Sequence, residues 1–333
     1  MNAAQVLDQP ITVQCEEHRE RLIALKDFLS DRLVGCDVLI ERLLIALLVG
    51  GHVLIEGAPG LAKTRAVKLL AGAIEAPFGR IQCTPDLMPA DLTGTPVWRP
   101  DRIAFEFVAG PVFNSMVLVD EINRAPPKVQ SALLEAMAEM QVSSGGHTHP
   151  LPQLFMVVAT QNPIEQEGTF PLPEAQLDRF LIHVLLDLPH ADAERAILDL
   201  VEGETIAEKP LAKPLITTPE VLAARRAIRN VHLSPAIKDY IVRIVTAPRD
   251  IGVAPDIAQL IAHPASPRGT LSLAAASKAR AFLRGRDHVV PDDVAELAGD
   301  ILGHRTILTW RAAADGETAR GVMARLLARI HPL

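Results

Sequence analysis

One stretch of the sequence combines glycine, lysine and threonine at a spacing that suits phosphate binding. Residues 57–64 read Gly-Ala-Pro-Gly-Leu-Ala-Lys-Thr, after an apolar run at 52–56 and before a helical pattern at 65–74. A strand, a glycine-containing loop and a helix in this order form a P-loop, where backbone N–H groups and the helix N-terminus surround phosphates. An ordinary glycine turn is the plain alternative, but it gives Lys63 and Thr64 no role.

The whole loop is predicted to contact the nucleotide. Lys63 would supply a point charge to the β- and γ-phosphates, and the Thr64 hydroxyl would bind Mg²⁺. Position 62, where a second glycine is usual, is alanine. Because the helix begins there, we expect the methyl group to be tolerated. The predicted nucleotide-binding residues of the loop are Gly57, Ala58, Pro59, Gly60, Leu61, Ala62, Lys63 and Thr64.

Two adjacent carboxylates follow a second apolar run. Asp120 and Glu121 end the segment Val117-Leu-Val-Asp-Glu. Beside a P-loop, Asp120 can hold Mg²⁺ through its waters, and Glu121 can polarise the attacking water as a general base. A solvated acidic strand end is the alternative for an isolated Asp-Glu pair, but the P-loop upstream favours the catalytic interpretation.

Two further polar residues stand next to predicted strands. Asn162 follows the apolar run 155–160, where its amide could bridge the γ-phosphate and the attacking water; Asn-Pro alone is only a turn signal. Arg179 precedes the apolar run 180–186 and is placed to act as an arginine finger on a neighbouring subunit's ATP. A salt bridge with Asp178 or Glu174 is an equally acceptable role for Arg179.

Two arginines of the C-terminal region are weaker candidates. Arg268, in Ser266-Pro-Arg-Gly at a predicted helix start, could reach the γ-phosphate, although a surface arginine is the alternative. Arg305 is better explained as a cation at a helix end, where it would stabilise the helix dipole.

The elements that must position these residues follow from the apolar pattern. Five buried apolar strands alternating with helices predict an α/β fold with a parallel sheet, whose ligands bind at the carboxyl ends of the strands. Two hairpins are predicted, within 95–108 and 141–155, and residues 204–219 are predicted to be a linker. The predicted domains are a nucleotide-binding core over 1–205 and a linker with a helical domain over 206–333.

Composition limits the class of protein. The chain has 333 residues, an apolar fraction of 49% and a net charge of −7, which argue for a globular protein that does not hold duplex nucleic acid by bulk charge. The three cysteines form no CxxC pair, and the first ten residues lack a signal-peptide pattern. We therefore expect a cytoplasmic location and no membrane insertion.

The order of these motifs resembles the AAA+ ATPases, and more narrowly the MoxR family. The resemblance runs from about residue 15 to the C-terminus and is specific only when its phrases are taken together. The phrases that carry it are VLIEGAPGLAKT (53–64), QCTPDLMPADLTG (82–94), GPVF (110–113), DEINRAPP (120–127), ALLEAM (132–137), ATQNP (159–163), GTFPLPEAQLDRF (168–180) and SPRG (266–269).

The resemblance implies a fold and further roles. It implies an AAA+ core with sheet order 5-1-4-3-2, two inserted hairpins and a C-terminal all-α lid. It assigns Walker A to 57–64, Walker B to Asp120 and Glu121, sensor 1 to Asn162, the arginine finger to Arg179 and sensor 2 to Arg268. It also implies hexameric rings that act as chaperones on client proteins, often with partners carrying a von Willebrand factor A domain.

The sequence therefore predicts a ring-forming, Mg²⁺-dependent ATPase that uses ATP hydrolysis between subunits to mature or activate partner proteins. A motor subunit resembling that of magnesium chelatase is the nearest alternative. A nucleic-acid motor and a scaffold that binds ATP without hydrolysing it are the others. The motor would need basic hairpins, yet the first hairpin offers only Arg99 and Arg102, with Asp101 and Glu106 beside them.

Overall fold

A five-stranded parallel sheet forms the centre of the molecule. The computed structural model describes residues 11–163, 168–206, 214–250 and 254–332. The strands stand in the order β2-β5-β8-β1-β9. Counted within the sheet alone, this is the predicted order 5-1-4-3-2. The bounds are β1 (Val53–Gly57), β2 (Phe78–Gln82), β5 (Met116–Asp120), β8 (Met156–Gln161) and β9 (Ile182–Leu186).

Both faces of the sheet are covered, because its three central strands, β5, β8 and β1, are apolar on both sides. Alternate residues of one strand belong to different clusters: Val53 and Ile55 face one cluster and Leu54 faces the other. A parallel sheet buried on both faces reads as continuous apolar runs, as the sequence does. This burial fixes the strand register, and with it the position of the polar residues at the strand ends.

Helices precede, connect and follow the strands. The helices α1, α2 and α3 share one cluster with the sheet, and α5 packs on the opposite face. The helices of the first part of the chain are α1 (Ile11–Ser30), α2 (Asp37–Val49), α3 (Lys63–Ala73), α4 (Pro89–Thr93), α5 (Pro127–Glu139), α6 (Glu174–Leu177) and α7 (Ala191–Ile206).

The C-terminal region is a helical lid that packs on the N-terminal helices. Its buried apolar residues belong to the same cluster as those of α1 and α2. A buried ion pair also joins the two parts, since Arg42 Nε lies 2.6 Å from Asp300 Oδ2. The lid helices are α8 (Thr218–Ile228), α9 (Pro235–Thr246), α10 (Pro255–Ala258), α11 (Pro267–Leu283), α12 (Pro291–Leu302), α13 (Trp310–Ala314) and α14 (Ala319–Leu327).

Both predicted hairpins are present. The first pairs β3 (Gly94–Arg99) with β4 (Ala104–Ala109), and the second pairs β6 (Gln141–Ser144) with β7 (His147–Pro150). The Phe107 and His149 rings stack between the two hairpins, with centroids 3.8 Å apart and an interplanar angle of 11°. Trp98 and Phe105 form an edge-to-face pair on the first hairpin and are 47% and 70% exposed.

Some elements were not predicted. Helix α7 extends to Ile206, so the predicted linker begins inside a helix; its residues 207–213 lie outside the described part of the chain. The lid also contains a short antiparallel ribbon of β10 (Ile261–His263) and β11 (Ile307–Leu308). Strands this short carry no readable period. In the described ranges, no helix has the length and apolarity required to cross a bilayer.

Candidate active site

The P-loop connects the end of β1 to the start of α3. Gly57 ends β1, residues 58–62 form the loop, and Lys63 is the first residue of α3. No side chain caps this helix start, and its first turn carries no acidic residue. The first N–H groups of a helix need acceptors, so an uncapped N-terminus with a lysine in its first turn suits a phosphate. The loop therefore fits the polyphosphate of a nucleotide.

Ala62 is the N-cap residue of α3 and adopts a left-handed conformation. Its φ and ψ are 52° and 17°. A Cβ in this region costs about 1–2 kcal/mol, which explains why glycine is usual at this position of a P-loop. The methyl group is thus accommodated at the start of the helix, as expected, but with a backbone strain that the sequence did not indicate.

Lys63 folds back over its own loop. Its Nζ donates to the Gly57 carbonyl oxygen at 2.6 Å. Burial lowers the pKa of Lys63, and the nearby carboxylates of Asp120, Glu121 and Glu56 oppose that shift. The ammonium group therefore lies within the electrostatic field of the acidic strand ends, which is where a phosphate-binding lysine is needed.

Asp120 is buried at the end of β5 and has two side-chain partners. Arg80 Nε donates to Asp120 Oδ2 at 2.7 Å, and the Thr160 hydroxyl donates to Oδ1 at 3.2 Å. The Thr160 oxygen also accepts the Glu121 N–H at 3.0 Å. This hydroxyl thus fixes both acidic residues from the neighbouring strand. A carboxylate here and the Thr64 hydroxyl are hard oxygen donors of the kind that Mg²⁺ takes alongside water.

Glu121 lies in a strained backbone conformation. Its φ and ψ are 57° and 51°, a left-handed geometry that is uncommon for residues other than glycine. Its Oε2 accepts from Gln82 Nε2 at 3.2 Å and from Arg124 Nη1 at 3.0 Å. Strained residues held by their surroundings concentrate at active sites, and here the turn directs the carboxylate towards β2.

Asn162 follows β8, the strand between β5 and β1. It is almost fully buried, and it comes two residues after Thr160. The end of β8 therefore brings Asn162 to the same sheet edge as the P-loop and Asp120, as the order of the motifs predicted. Its assignment to the γ-phosphate stays a prediction.

Arg179 and Arg268 lie together, but away from this edge. Arg179 is exposed and donates to the Leu134 carbonyl oxygen at 3.2 Å; within the described residues it forms no ion pair with Asp178 or Glu174. Asp178 instead accepts from Arg268 Nη1 at 3.2 Å. The salt-bridge alternative for Arg179 is therefore wrong, because lid arginines occupy Asp178.

These two arginines are near the amino-terminal ends of the strands. Asp178 precedes β9, and β9 runs parallel to β1, with Ile182 beside Val53 and Leu186 beside Gly57. Four residue steps separate the two ends of β9, which is about 13 Å. Arg268 therefore lies near the amino-terminal ends of the strands, whereas Lys63 lies at their carboxyl ends. Arg268 is thus not part of the phosphate site of its own chain.

Arg305 is buried, and its role extends beyond that of a helix-end cation: its Nη1 donates to the Ile301 carbonyl oxygen in the last turn of α12, but most of its bonds are to the core. Its side chain is 2% exposed, and its Nε donates to Asp178 Oδ1 at 2.8 Å. Burial lowers its pKa, and the Asp178 carboxylate opposes the shift. It joins the lid to the segment that carries Arg179.

Sequence reasoning missed Arg80, Gln82 and Thr160. A signal was present, since Arg80 and Gln82 alternate with apolar residues at the carboxyl end of β2. Their relevance depended on strand order, because β2 lies beside β5 with Gln82 opposite Asp120. Thr160 lies near the end of β8, two residues before Asn162.

Comparisons with known proteins agree with this architecture. The family model described as "ATPase family associated with various cellular activities (AAA)" matches residues 52–182, and the AAA lid domain matches 254–326. The chain is 47% identical over 298 residues to Chaperone MoxR1 of Mycobacterium tuberculosis, covering 89% of this chain and 78% of that protein. The chain belongs to the MoxR family of AAA+ ATPases.

Other MoxR relatives extend the match. Protein MoxR of Paracoccus denitrificans is 34% identical over 286 residues, which cover 81% of this chain and 84% of that protein. A crystal structure of a candidate ATPase from Cytophaga hutchinsonii superposes with a TM-score of 0.89 at 40% identity, covering 97% of this chain and 98% of that one. The MoxR family, the AAA core and the lid predicted from the sequence are thus confirmed.

Proposed function

We propose that this chain is an Mg²⁺-dependent ATPase. One observation carries the proposal: an uncapped helix N-terminus with Lys63 faces a sheet edge whose buried acidic residue Asp120 is followed by Glu121. The first feature suits a polyphosphate, and the second suits its metal ion and the attacking water. Membership of the MoxR family supports the same activity.

Each residue has a distinct task in this proposal. Lys63 and the loop N–H groups hold the phosphates, while Thr64 and Asp120 would hold Mg²⁺, which neutralises phosphate charge when bound. Glu121 acts as the general base, since its carboxylate follows the strand next to that of Asn162. Asn162 orients the attacking water or the γ-phosphate.

The two outlying arginines require a second subunit. Arg179 and Arg268 share Asp178 as a neighbour and lie on the side of the sheet opposite Lys63. They would therefore contact ATP bound by an adjacent copy, where an arginine stabilises transition-state charge. A head-to-tail contact of this kind closes into a ring, and the family resemblance suggests a hexamer.

The output that we propose is chaperone activity. The relative from Mycobacterium tuberculosis is named a chaperone. Hydrolysis would move the lid and the hairpins, and would remodel a client protein; a partner with a von Willebrand factor A domain is the candidate that the resemblance suggests. The domain boundary at 205/206 and the cytoplasmic location stay predictions. The AAA and lid matches fall on either side of that boundary.

The alternatives differ in what stimulates the ATPase. On the first hairpin, Arg99 and Arg102 lie 3.2 and 3.5 Å from Glu106. Arg102 also lies 3.8 Å from Asp101, so two carboxylates compensate the two basic charges. This pairing disfavours a nucleic-acid motor, which would show ATPase stimulation by single-stranded DNA. A chelatase-like motor subunit would instead respond to a chelatase partner.

The test is ATP turnover with a matched pair of variants. Glu121→Gln should lower kcat by about 10²–10⁴-fold, as loss of a general base does, while ATP binding is retained. Glu135→Gln, an exposed residue of α5, is the control and should leave kcat unchanged. Equal turnover by the Glu121→Gln variant and the wild type would exclude the proposed base, and no turnover by the wild type would favour a scaffold.

A further inference from the structure

Arg305 binds one short segment of the core with almost its whole guanidinium group. It follows α12 in a short 3₁₀ helix of the lid. Its Nε donates to Asp178 Oδ1 at 2.8 Å, and its Nη2 donates to the carbonyl oxygens of Asp178 and Phe180 at 3.1 and 2.6 Å. Its Nη1 donates to the carbonyl oxygens of Leu181 and Ile301. The planar fork of arginine suits this arrangement, and the single ammonium of lysine does not.

The segment that Arg305 binds is the one that carries Arg179. The carbonyl groups on both sides of Arg179, at positions 178 and 180, are bonded to Arg305. Phe180 is fully buried, whereas Arg179 is exposed and bonds to the Leu134 carbonyl oxygen of α5. The direction in which Arg179 leaves the backbone is therefore set by the lid, through Arg305.

The same carboxylate also binds the second outlying arginine. Asp178 Oδ1 accepts from Arg305 Nε at 2.8 Å, and its Oδ2 accepts from Arg268 Nη1 at 3.2 Å. Arg305 is buried, while Arg268 is about half exposed. Asp178 thus connects the buried Arg305 to the accessible Arg268, directly beside Arg179.

We propose that Arg305 is a positioning residue that, with Asp178, presents Arg179 and Arg268 jointly to the nucleotide of the adjacent subunit. The inference rests on the proposed function, in which Arg179 acts across the subunit interface. Arg305 itself touches no nucleotide. It works by holding the backbone of residues 178–181 against the lid, so a change in lid position would move Arg179 and Arg268 together.

The first measurement is the steady-state ATPase of single variants. Arg305→Ala should lower kcat by about 10–100-fold, because small misplacements of a catalytic group have effects of this size. Binding of a fluorescent ATP analogue should change less than about threefold, since the chain's own phosphate site is untouched. Arg311→Ala, an exposed lid arginine, is the control and should retain wild-type kcat.

The decisive measurement is complementation in mixed assemblies. A Glu121→Gln subunit cannot hydrolyse its own ATP, but it presents Arg179 and Arg268 normally to its neighbour. An Arg305→Ala subunit has an intact phosphate site, but it misplaces these two arginines. Random mixing at equal amounts in a ring should place about a quarter of all sites between an active P-loop and a competent neighbour. We expect about that fraction of wild-type activity from this mixture, and none above background from Arg305→Ala mixed with Arg179→Ala.

The control mixture separates the two hypotheses. Activity from Arg179→Ala mixed with Glu121→Gln tests the shared site alone, and its absence would contradict the proposed function. If that mixture is active while Arg305→Ala with Glu121→Gln is not, the positioning role is overturned. If Arg305→Ala does not fold, Asp178→Asn replaces it: it keeps the backbone bonds of Arg305 but removes the shared carboxylate, and the same mixtures decide the outcome.

Discussion

Protonation of His52 should destabilise the core beneath the P-loop. His52 immediately precedes β1 and is buried; its Nδ1 accepts the Val157 N–H at 3.0 Å, and its Nε2 lies 3.4 Å from the Met137 carbonyl oxygen. This pattern requires a neutral ring protonated on Nε2. A second proton on Nδ1 would break the bond to Val157 and leave a charge inside the protein.

The size and sign of this effect follow from the pKa of His52. Burial lowers this pKa to about 4, from an ordinary value of 6.5. Because the folded-state pKa is the lower one, the unfolded chain binds one more proton between these values, and the free energy of unfolding falls as pH decreases. For His52 alone, the loss from pH 7.5 to pH 5 is about 2 kcal/mol, and the full loss below pH 4 is about 3 kcal/mol.

The assay is urea unfolding followed by circular dichroism at several pH values between 7.5 and 5. His304 is partly buried, and its pKa also lies well below the ordinary value, so the wild type should lose more than His52 alone accounts for. His52→Asn keeps an acceptor for Val157 and removes the titration, so its pH dependence should be shallower by about 2 kcal/mol over this range. His263→Gln, at an exposed site, should keep the wild-type dependence. An equally steep dependence in His52→Asn would refute the reasoning.

Three further predictions concern the P-loop, the metal site and the lid. Arg80→Ala removes the ion pair between half-exposed Arg80 and Asp120, which leaves the Asp120 carboxylate free to bind the metal ion. The Mg²⁺ concentration for half-maximal binding of an ATP analogue should therefore fall about 2–5-fold, and a rise would contradict this prediction. Ala62→Gly relieves a left-handed alanine and should raise the free energy of urea unfolding by about 0.5–1 kcal/mol. Asp300→Ala leaves the buried Arg42 guanidinium with fewer partners and should cost about 3 kcal/mol in the same assay, whereas a change under 1 kcal/mol would show that the lid contact is dispensable.

The sheet and the P-loop were predictable because their information is local. Each central strand is a continuous apolar run, and residues 57–64 need only a strand before them and a helix after them. Helix α7 was not predicted, although Ile197, Leu200 and Val201 stand at helical spacing in its sequence. The ribbon of β10 and β11 is too short to show a period.

The outer part of the site could not be predicted, because it depends on contacts between distant segments. Arg80 becomes relevant only once β2 lies beside β5, 40 positions further along the chain. Arg305 meets Asp178 across 127 positions, and nothing near Arg305 in the sequence indicates that it is buried. The left-handed backbone of Glu121 likewise follows from tertiary structure.

The most direct test of the shared active site is specific ATPase activity as a function of protein concentration, with the mass measured by light scattering with and without ATP and Mg²⁺. If ATP is hydrolysed between subunits, specific activity should rise cooperatively as ATP-bound oligomers form, and that rise should be lost in Arg179→Ala. A constant specific activity from a stable monomer would contradict the shared site.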